Sequence, residues 1–338
     1  MLLTIRLQAL GFSYHDGGKD PAKLTERQRA YSVKHLPSIL EIFSFSLFVQ
    51  QCALGAFVEF RDFICWAEKK EEYKKVPSPV LESLKYLVYG VCTITIFLVG
   101  SSMFPCDTCW SDEFAQWSLG YRYFFTFFAW GFKRYFYYTA FMFQTGTIIA
   151  SGLGYNGQEV VKEKTVDKWD KFIGVYLIDA ERSTNAAEFL KAWNHRVHLW
   201  LKHYVAERLI GIGGRASTLD YLLIYMTSAF WHGFYPFYYV AFTCAALAQF
   251  AHRDIYLCWY LTKNVPRPVV YAVSWAVCQF TINYSGILQT ALTFENGLKF
   301  LGSTYYLIPL HLVSVLVITR GFGLLKMSKS LQRKAAGH

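Results

Sequence analysis

Charged side chains are scarce in this sequence. Only 17% of its 338 residues are Asp, Glu, Lys or Arg, whereas 54% are hydrophobic and 19% are aromatic. Soluble domains average about 25% charged residues, so the composition argues against a soluble protein. The mean hydropathy is only +0.21 because Tyr and Trp score low on hydropathy scales, although both suit membrane interfaces. The composition therefore predicts an all-α, polytopic membrane protein.

Several motifs are also missing. The closely spaced pair Cys106 and Cys109 has no second Cys or His pair, so free thiols or one local bridge are expected and no metal site is predicted. Residues 1–7 lack the charged start and cleavage pattern of a signal peptide. No Gly-x-Ser-x-Gly motif is present, which argues against an acyl-enzyme intermediate.

Positive charge is present but dispersed. The net charge of +10 is spread over loops and the tail, and no single basic arm suggests nucleic acid as a partner. Cationic loops fit a cytoplasmic face beside anionic lipid, or a site for a phosphorylated ligand. The basic tail, residues 326–338, is predicted to be cytoplasmic.

The sequence contains several long apolar windows. A membrane-spanning helix needs roughly 20 predominantly apolar residues. Windows of this kind lie at residues 38–60, 84–104, 121–150, 219–250, 269–292 and 303–325. They predict a single membrane domain over residues 1–338, with about six to eight helices, no internal repeat and no soluble domain.

Two features interrupt these windows. Lys133 and Arg134 are adjacent cations inside residues 121–150. They predict a broken helix or two short ones, because such charge must face protein or water. Residues 151–157 are rich in glycine and predict a turn, and residues 13–37 are predicted to be a polar loop.

A basic amphipathic helix is predicted from residue 186 onwards. Its apolar positions recur at spacings of three and four; they are Phe189, Trp193, Val197, Trp200, Leu201, Tyr204 and Val205. The opposite face carries His195, Arg196, His198, Lys202, His203 and Arg208. Such a helix is typical of a membrane surface, and it also carries Asn194.

His232 is the main candidate for chemistry. It ends the apolar run 221–231 and precedes a helix break at Gly233 and Pro236. An ionisable side chain in a membrane is a functional-site hypothesis by default. Neutral His can take the proton of an attacking alcohol, and an amide such as Asn194 can orient the imidazole or stabilise an oxyanion. The alternative is a helix-end histidine bonded to a carbonyl, with Asn194 a solvated helix residue.

These residues lie in stretches that resemble the membrane-bound O-acyltransferase family, most closely its lysophospholipid acyltransferase branch. The main matching stretches are residues 193–208 and 228–233, and others are 14–17, 36–41, 55–62, 133–136 and 151–157. The resemblance implies a helical bundle with a central reaction chamber. It also implies acyl-CoA-dependent transfer to the free glycerol hydroxyl of a lysophospholipid in the endoplasmic reticulum membrane.

The resemblance also implies roles for individual residues. His232 is the general base and Asn194 its catalytic partner, with Trp231 beside the substrate. Candidate ligands for the phosphates of CoA are Lys133, Arg134, Arg196, Lys202 and Arg208. Each of these cations has the alternative of interfacial snorkelling or pairing with phospholipid headgroups. Acyl-CoA is a co-substrate, no cofactor is expected, and the partners are acyl-CoA, lysophospholipid and membrane lipids.

The sequence departs from the family in two places. It is expected to be N-terminally short, without the usual N-terminal helices, and this bears on its activity because those helices help to close the chamber. Ala56 stands where relatives commonly have Pro after Gly55.

Other functions remain open at this point. A member of the same family could act on a protein or sterol hydroxyl. A polytopic transporter would instead show paired intramembrane charges and pseudo-symmetry. A non-catalytic remnant would only bind lipid or a partner subunit.

Overall fold

The computed structural model describes residues 1–48, 57–258 and 264–335. Within these ranges the chain is helical apart from one β-hairpin, which confirms the all-α prediction. The α-helices are α1 (Leu2–Gly17), α2 (Glu26–Tyr31), α3 (Ile39–Ser46), α4 (Phe60–Ala67), α5 (Val80–Met103), α6 (Asp112–Gln116), α7 (Leu119–Ala150), α8 (Leu177–Arg182), α9 (Ala186–Ala192), α10 (His195–Trp200), α11 (Glu207–Ile210), α12 (Thr218–His232), α13 (Pro236–Leu257), α14 (Arg267–Ala291), α15 (Phe294–Ser303), α16 (Leu307–Leu316) and α17 (Leu324–Ala335).

Shorter elements connect these helices. The hairpin pairs β1 (Gln158–Val161) with β2 (Lys164–Asp167) in antiparallel register, Gln158 opposite Asp167. Tight 3₁₀ turns lie at Pro21–Lys23, Glu71–Lys74 and Cys106–Trp110, and π-helical turns lie at Leu201–Ala206 and Val317–Gly321.

The chain divides into two compact units, which are described separately. The first unit comprises Met1–Thr95, Phe136–Tyr176 and Trp193–Ala216. The second comprises Ile96–Tyr135, Leu177–Ala192 and Ser217–His338. The prediction of a single membrane domain stays a prediction.

An aromatic core holds the first unit together. Phe45 from α3 packs edge-on against Phe60 of α4, with ring centroids 5.3 Å apart, and lies 5.5 Å from Phe63. Phe172 and Leu153 join the same cluster of buried side chains. Because α3 and α4 each have only eight residues, this packing rather than helix propensity holds them in place.

Helix α13 is the central element of the second unit. It packs against α9, α12, α14 and α16. It also carries Asp254, which is 0% exposed and accepts hydrogen bonds from Arg320 Nε at 2.5 Å and Thr319 Oγ1 at 3.3 Å. A buried carboxylate needs such partners, because an isolated charge in an apolar interior costs several kcal/mol.

Helix α5 confirms the apolar window 84–104. The stretch Val80–Trp110 is long and apolar enough to cross a membrane. The pair Phe294–Ser303 and Leu307–Gly321 passes the same test jointly, although it bends by 74°. By length and composition the described residues thus hold one such helix, or two if the bent pair is one span. The larger number of spans stays a prediction.

The predicted break in the window 121–150 is wrong. Helix α7 runs without interruption from Leu119 to Ala150. Arg134 is buried inside it and donates to Gln279 Oε1 at 2.8 Å and Glu181 Oε2 at 3.0 Å. The charge is satisfied by partners on α14 and α8, so the helix has no need to unwind around it.

Other boundaries also differ from the prediction. The predicted loop 13–37 contains the end of α1 and all of α2, which begins at a capping box formed by Thr25 and Gln28. The window 303–325 holds the end of α15, then α16 and the start of α17, with Tyr305 and Tyr306 at positive φ between the first two. The window 38–60 holds α3, but residues 49–56 lie outside the described ranges.

The remaining boundaries agree with the sequence. Helix α12 ends at His232 and α13 starts with Pro236 at its first turn. Residues 151–157 form a turn in which Gly152 and Gly157 take positive φ values of 81° and 78°. Helix α14 covers almost all of the window 269–292.

Lys171 links three parts of the first unit. Its ammonium lies 3.1 Å from the Asp62 carboxylate and also pairs with Glu72. Burial lowers the pKa of Lys171, but Asp62 and the neighbouring groups outweigh burial and hold the pKa above its usual value. Since Asp62 is buried, removal of Lys171 would leave its carboxylate without this cation.

Replacement of Lys171 tests this link. Lys171→Met is expected to lower the free energy of unfolding by about 3–5 kcal/mol, since truncation of a buried pair leaves an uncompensated charge. The melting temperature of the detergent-purified protein measures the effect. Lys168→Met is the matched control, because its exposed partners make its ion pairs worth at most about 1 kcal/mol. Equal melting temperatures for the two variants would show that the link is not stabilising.

Candidate functional site

Asn194 lies at a break in the chain rather than within a helix. The predicted continuous helix from residue 186 is wrong: α9 ends at Ala192, and α10 begins at His195. Asn194 between them has φ 42° and ψ 51°, the left-handed region that Asn tolerates better than most residues. Backbone strain of this kind clusters at functional sites.

The backbone around Asn194 is firmly held. The His195 amide donates to the Gly174 carbonyl at 2.8 Å, and the His198 amide donates to the Asn194 carbonyl at 3.0 Å. The Trp193 ring packs edge-on against Tyr138, with centroids 5.4 Å apart. Asn194 itself is half-buried, and within the described part of the first unit its side-chain amide makes no hydrogen bond.

Polar side chains anchor the segment that follows Asn194. Arg196, predicted on a polar face, is instead buried and donates from Nε to the Phe57 carbonyl at 2.9 Å. Trp200 Nε1 donates to Gln8 Oε1 at 2.9 Å. These bonds tie residues 195–200 to α1 and to the segment that precedes α4.

Tyr204 makes the most buried of these contacts. Its hydroxyl donates to Glu59 Oε2 at 2.5 Å and lies 3.3 Å from Ser13 Oγ. Glu59 is only 2% exposed and also pairs with Arg27. Tyr204 lies in the π-helical turn Leu201–Ala206, and such turns are frequent at functional sites. The Glu59–Tyr204 contact therefore sets the register of the segment that begins at Asn194.

Removal of the Tyr204 hydroxyl tests this contact. Tyr204→Phe is expected to lower the free energy of unfolding by about 1–3 kcal/mol, since the buried Glu59 carboxylate loses a hydrogen-bond donor. A lower melting temperature and faster amide exchange in residues 195–210 are the measured effects. Tyr14→Phe removes an exposed hydroxyl and is the control. Unchanged exchange in residues 195–210 would contradict the proposed anchor.

His232 is the last residue of α12 and lies in an aromatic setting. Its ring centroid is 4.8 Å from Trp231, 4.9 Å from Phe242 and 5.8 Å from Tyr238. The following Gly233 has φ 137°, which turns the chain away before α13 begins. Within the described part of the second unit, no hydrogen bond is made to either ring nitrogen, although the ring is half-buried. Both interpretations of His232, a general base and a helix-end histidine, stay predictions.

The same face of α12 is held against α13. Tyr225 lies seven residues before His232, which is two helical turns. Its hydroxyl donates to Gln249 on α13. Ser228 and Ala229 between these residues are buried. His232 therefore sits at the end of a well-packed helix rather than on a loose loop.

The two candidate catalytic residues belong to different units. Asn194 lies in the first unit and His232 in the second. Their pairing stays a prediction, as does the central chamber. Two clefts of 290 and 480 Å³ in the second unit are lined by other residues.

Three of the predicted phosphate ligands are already engaged within the protein. Arg134 and Arg196 make the hydrogen bonds described above. Arg208 donates two hydrogen bonds to the Asp16 carboxylate, of 2.6 and 3.1 Å. Lys133 lies over the Phe97 ring at 5.5 Å. Lys202 is exposed. Of the five cations, Lys202 is therefore the one best placed to meet a soluble anion.

Substitution of Arg134 separates a structural role from ligand binding. Arg134→Gln is expected to lower the melting temperature by several degrees, since a buried charge-assisted network is worth about 1.5–3 kcal/mol. The neighbouring Lys133→Gln serves as the control and is expected to shift it much less. A variant at Arg134 that melts like the parent protein would contradict the structural role.

Metal binding finds no support in the described residues. No group of three His, Cys, Asp or Glu side chains there could hold a metal ion. Cys106 and Cys109 are both free thiols, and no local bridge joins them.

His203 is paired with a carboxylate on the same face of the chain. Its Nδ1 atom lies 2.7 Å from Glu207 Oε1. Burial and Arg27 lower the pKa of His203 more than Glu207 raises it.

Some residues that hold the first unit together were not predicted from the sequence. Glu59 and Asp62 are not predicted as site residues from the sequence, although both are buried in ion pairs. Tyr204 was read only as an apolar position. The available signal was the placement of Glu59 directly before an aromatic segment, where an ionised carboxylate demands a partner.

Comparison with known proteins adds independent information. The sequence model described as MBOAT, membrane-bound O-acyltransferase family, matches residues 1–287. "Lysophospholipid acyltransferase 1" of Arabidopsis thaliana is 27% identical over 325 residues, which are 93% of this chain and 70% of that protein.

Two other relatives are similar over different lengths. "Lysophospholipid acyltransferase" of Saccharomyces cerevisiae is 29% identical over 271 residues, 74% of this chain and 44% of that protein. "Membrane-bound glycerophospholipid O-acyltransferase 2" of Rattus norvegicus is 28% identical over 356 residues, 99% of this chain and 65% of that protein. This chain is thus matched almost throughout, whereas parts of the relatives have no counterpart in it.

Proposed function

The chain belongs to the membrane-bound O-acyltransferase family and is an acyltransferase, and we propose that it transfers a fatty acyl chain from acyl-CoA to the free glycerol hydroxyl of a lysophospholipid. One observation carries the proposal: relatives named as lysophospholipid or glycerophospholipid acyltransferases match 74% to 99% of this chain. The family match contains both Asn194 and His232.

In this proposal His232 is the general base. A neutral imidazole takes the proton of the glycerol hydroxyl as its oxygen attacks the thioester carbonyl of acyl-CoA. The new ester C–O bond forms, the C–S bond breaks, and the proton passes to the departing CoA thiolate. The ring nitrogens of His232 support this role, since no hydrogen bond within the described part of its unit occupies them.

Asn194 is the partner of His232 in this proposal. Its amide donates to the developing oxyanion or holds the imidazole in position, a contribution often worth about 3 kcal/mol. The left-handed backbone conformation of Asn194 and the backbone hydrogen bonds of His195 and His198 support this role, because they fix the backbone from which the amide side chain projects. A fixed donor needs no reorganisation when charge develops.

The substrates suit different surroundings. The phosphates of CoA require cations, and the exposed Lys202 fits this need better than the engaged arginines. The lysophospholipid belongs to the bilayer, and Trp231 beside His232 offers an apolar wall for a lipid chain. From its family we infer that the protein is a multi-pass bundle with a central chamber in the endoplasmic reticulum membrane.

An acyl-transfer assay tests the proposal. Microsomes with the expressed chain, labelled oleoyl-CoA or arachidonoyl-CoA and a panel of lysophospholipids are expected to form diacyl product. His232→Ala should reduce the rate by about 10²–10⁴-fold, the usual contribution of a general base. His35→Ala, at an exposed loop histidine, is the matched control with equal expression. Full activity of His232→Ala would overturn the mechanism.

Asn194 needs a variant that preserves its backbone. Asn194→Gly keeps the left-handed conformation without strain, so it removes the amide alone. The rate is expected to fall by about 10²–10³-fold at an unchanged melting temperature. Product formation at the parent rate would exclude a catalytic amide. Acylation of a protein or sterol hydroxyl, with no diacyl phospholipid formed, would overturn the proposed acceptor.

A further inference from the structure

Helix α17, the last helix of the described chain, is strongly amphipathic and has one sign of charge. It runs from Leu324 to Ala335 with the sequence LLKMSKSLQRKA, which contains four cations and no Asp or Glu. Lys326 and Lys329 are one turn apart and both exposed. Arg333 follows seven residues after Lys326, the spacing of two helical turns.

One face of α17 packs against the rest of the second unit. Ser328 is 0% exposed, and its hydroxyl donates to the Leu257 carbonyl at the end of α13 at 3.2 Å. The helix also packs against the π-helical turn Val317–Gly321. Its backbone therefore has a defined place in the second unit, and Lys326 and Lys329 point away from that contact.

An exposed apolar strip leads directly to α17. Leu310 and Val313 on α16 are 59% and 47% exposed, and Val317 in the next turn is 49% exposed. Phe322, the residue before the turn at Gly323, is 81% exposed. In a membrane protein such a strip faces lipid, and this one belongs to the bent apolar pair Phe294–Ser303 and Leu307–Gly321.

The strip changes character within α17. Met327 and Leu331 are 47% and 38% exposed and continue its apolar side, whereas Lys326 and Lys329 begin a basic side. An apolar side and a basic side on one helix are typical of a helix that lies in the membrane interface. Anionic lipids attract Lys and Arg at the cytoplasmic surface. The charge of this helix is therefore complementary to an anionic lipid surface.

We propose that α17 is a membrane-surface helix that binds anionic phospholipid headgroups through Lys326 and Lys329, with Met327 and Leu331 inserted at the edge of the hydrocarbon. The second unit is thereby coupled to the charge of the lipid surface. Since Ser328 of α17 is hydrogen-bonded to Leu257 at the end of α13, headgroup binding stabilises the end of the helix that begins after His232.

Hydrogen exchange measures this binding without any catalytic readout. The full chain is placed in nanodiscs of phosphatidylcholine alone, or of an equal mixture of phosphatidylcholine and phosphatidylserine. Amides of residues 324–335 are expected to exchange more slowly in the anionic discs, by about 25-fold, since each of the two lysines contributes about fivefold near an anionic surface. The difference should shrink at high salt, because screening weakens surface attraction.

Variants identify the side chains responsible. Lys326→Gln/Lys329→Gln is expected to abolish the difference, and Gln has a helix propensity similar to that of Lys, so the helix is kept. Lys326→Arg/Lys329→Arg keeps the charge and should keep the difference. Lys74→Gln/Lys75→Gln removes the same charge from exposed positions in the first unit and is the matched control.

Three outcomes would overturn the proposal. Equal exchange of residues 324–335 in the two kinds of disc would show that anionic headgroups do not bind there. Slower exchange in phosphatidylcholine discs on addition of inorganic phosphate at constant ionic strength would assign the site to a free anion. Loss of the difference in the Lys74→Gln/Lys75→Gln control would assign it to general charge.

Discussion

The burial of charge is the constraint on which this structure depends. A carboxylate or guanidinium removed from water loses several kcal/mol unless it gains a partner. Glu59 is buried with Arg27 and Tyr204, and Asp254 is buried with Arg320. Each of these contacts joins segments that are distant in sequence. These polar contacts therefore fix the relative positions of the segments that they join within each unit, which apolar packing alone would not determine.

This constraint decides where helices continue and where they stop. Helix α7 continues past Arg134 because Glu181 and Gln279 satisfy its charge. The helical path is interrupted at Asn194, because the backbone turns into the left-handed region there and the His195 amide is bonded to the Gly174 carbonyl. Asn194 and His232 thus both lie at ends of helices.

The sequence anticipated features that depend on neighbouring residues. The helix end at His232 was visible because Gly233 and Pro236 cannot continue a helix. The window 84–104 was visible because α5 is apolar on all sides, and its span is largely exposed to its surroundings. The same reasoning missed the break at Asn194, since Ala192 and Trp193 before it and His195 after it follow helical spacing without interruption.

By itself the sequence determined the helical class, the apolar windows, the family resemblance and the identity of His232 and Asn194 as candidates. Only the tertiary structure decided that Arg134 and Arg196 are buried donors, that Asn194 is a helix break, and that α17 carries its basic side away from α13. The reason is distance along the chain. The Gln279 partner of Arg134 lies 145 residues away, and local spacing carries no information about a partner so remote.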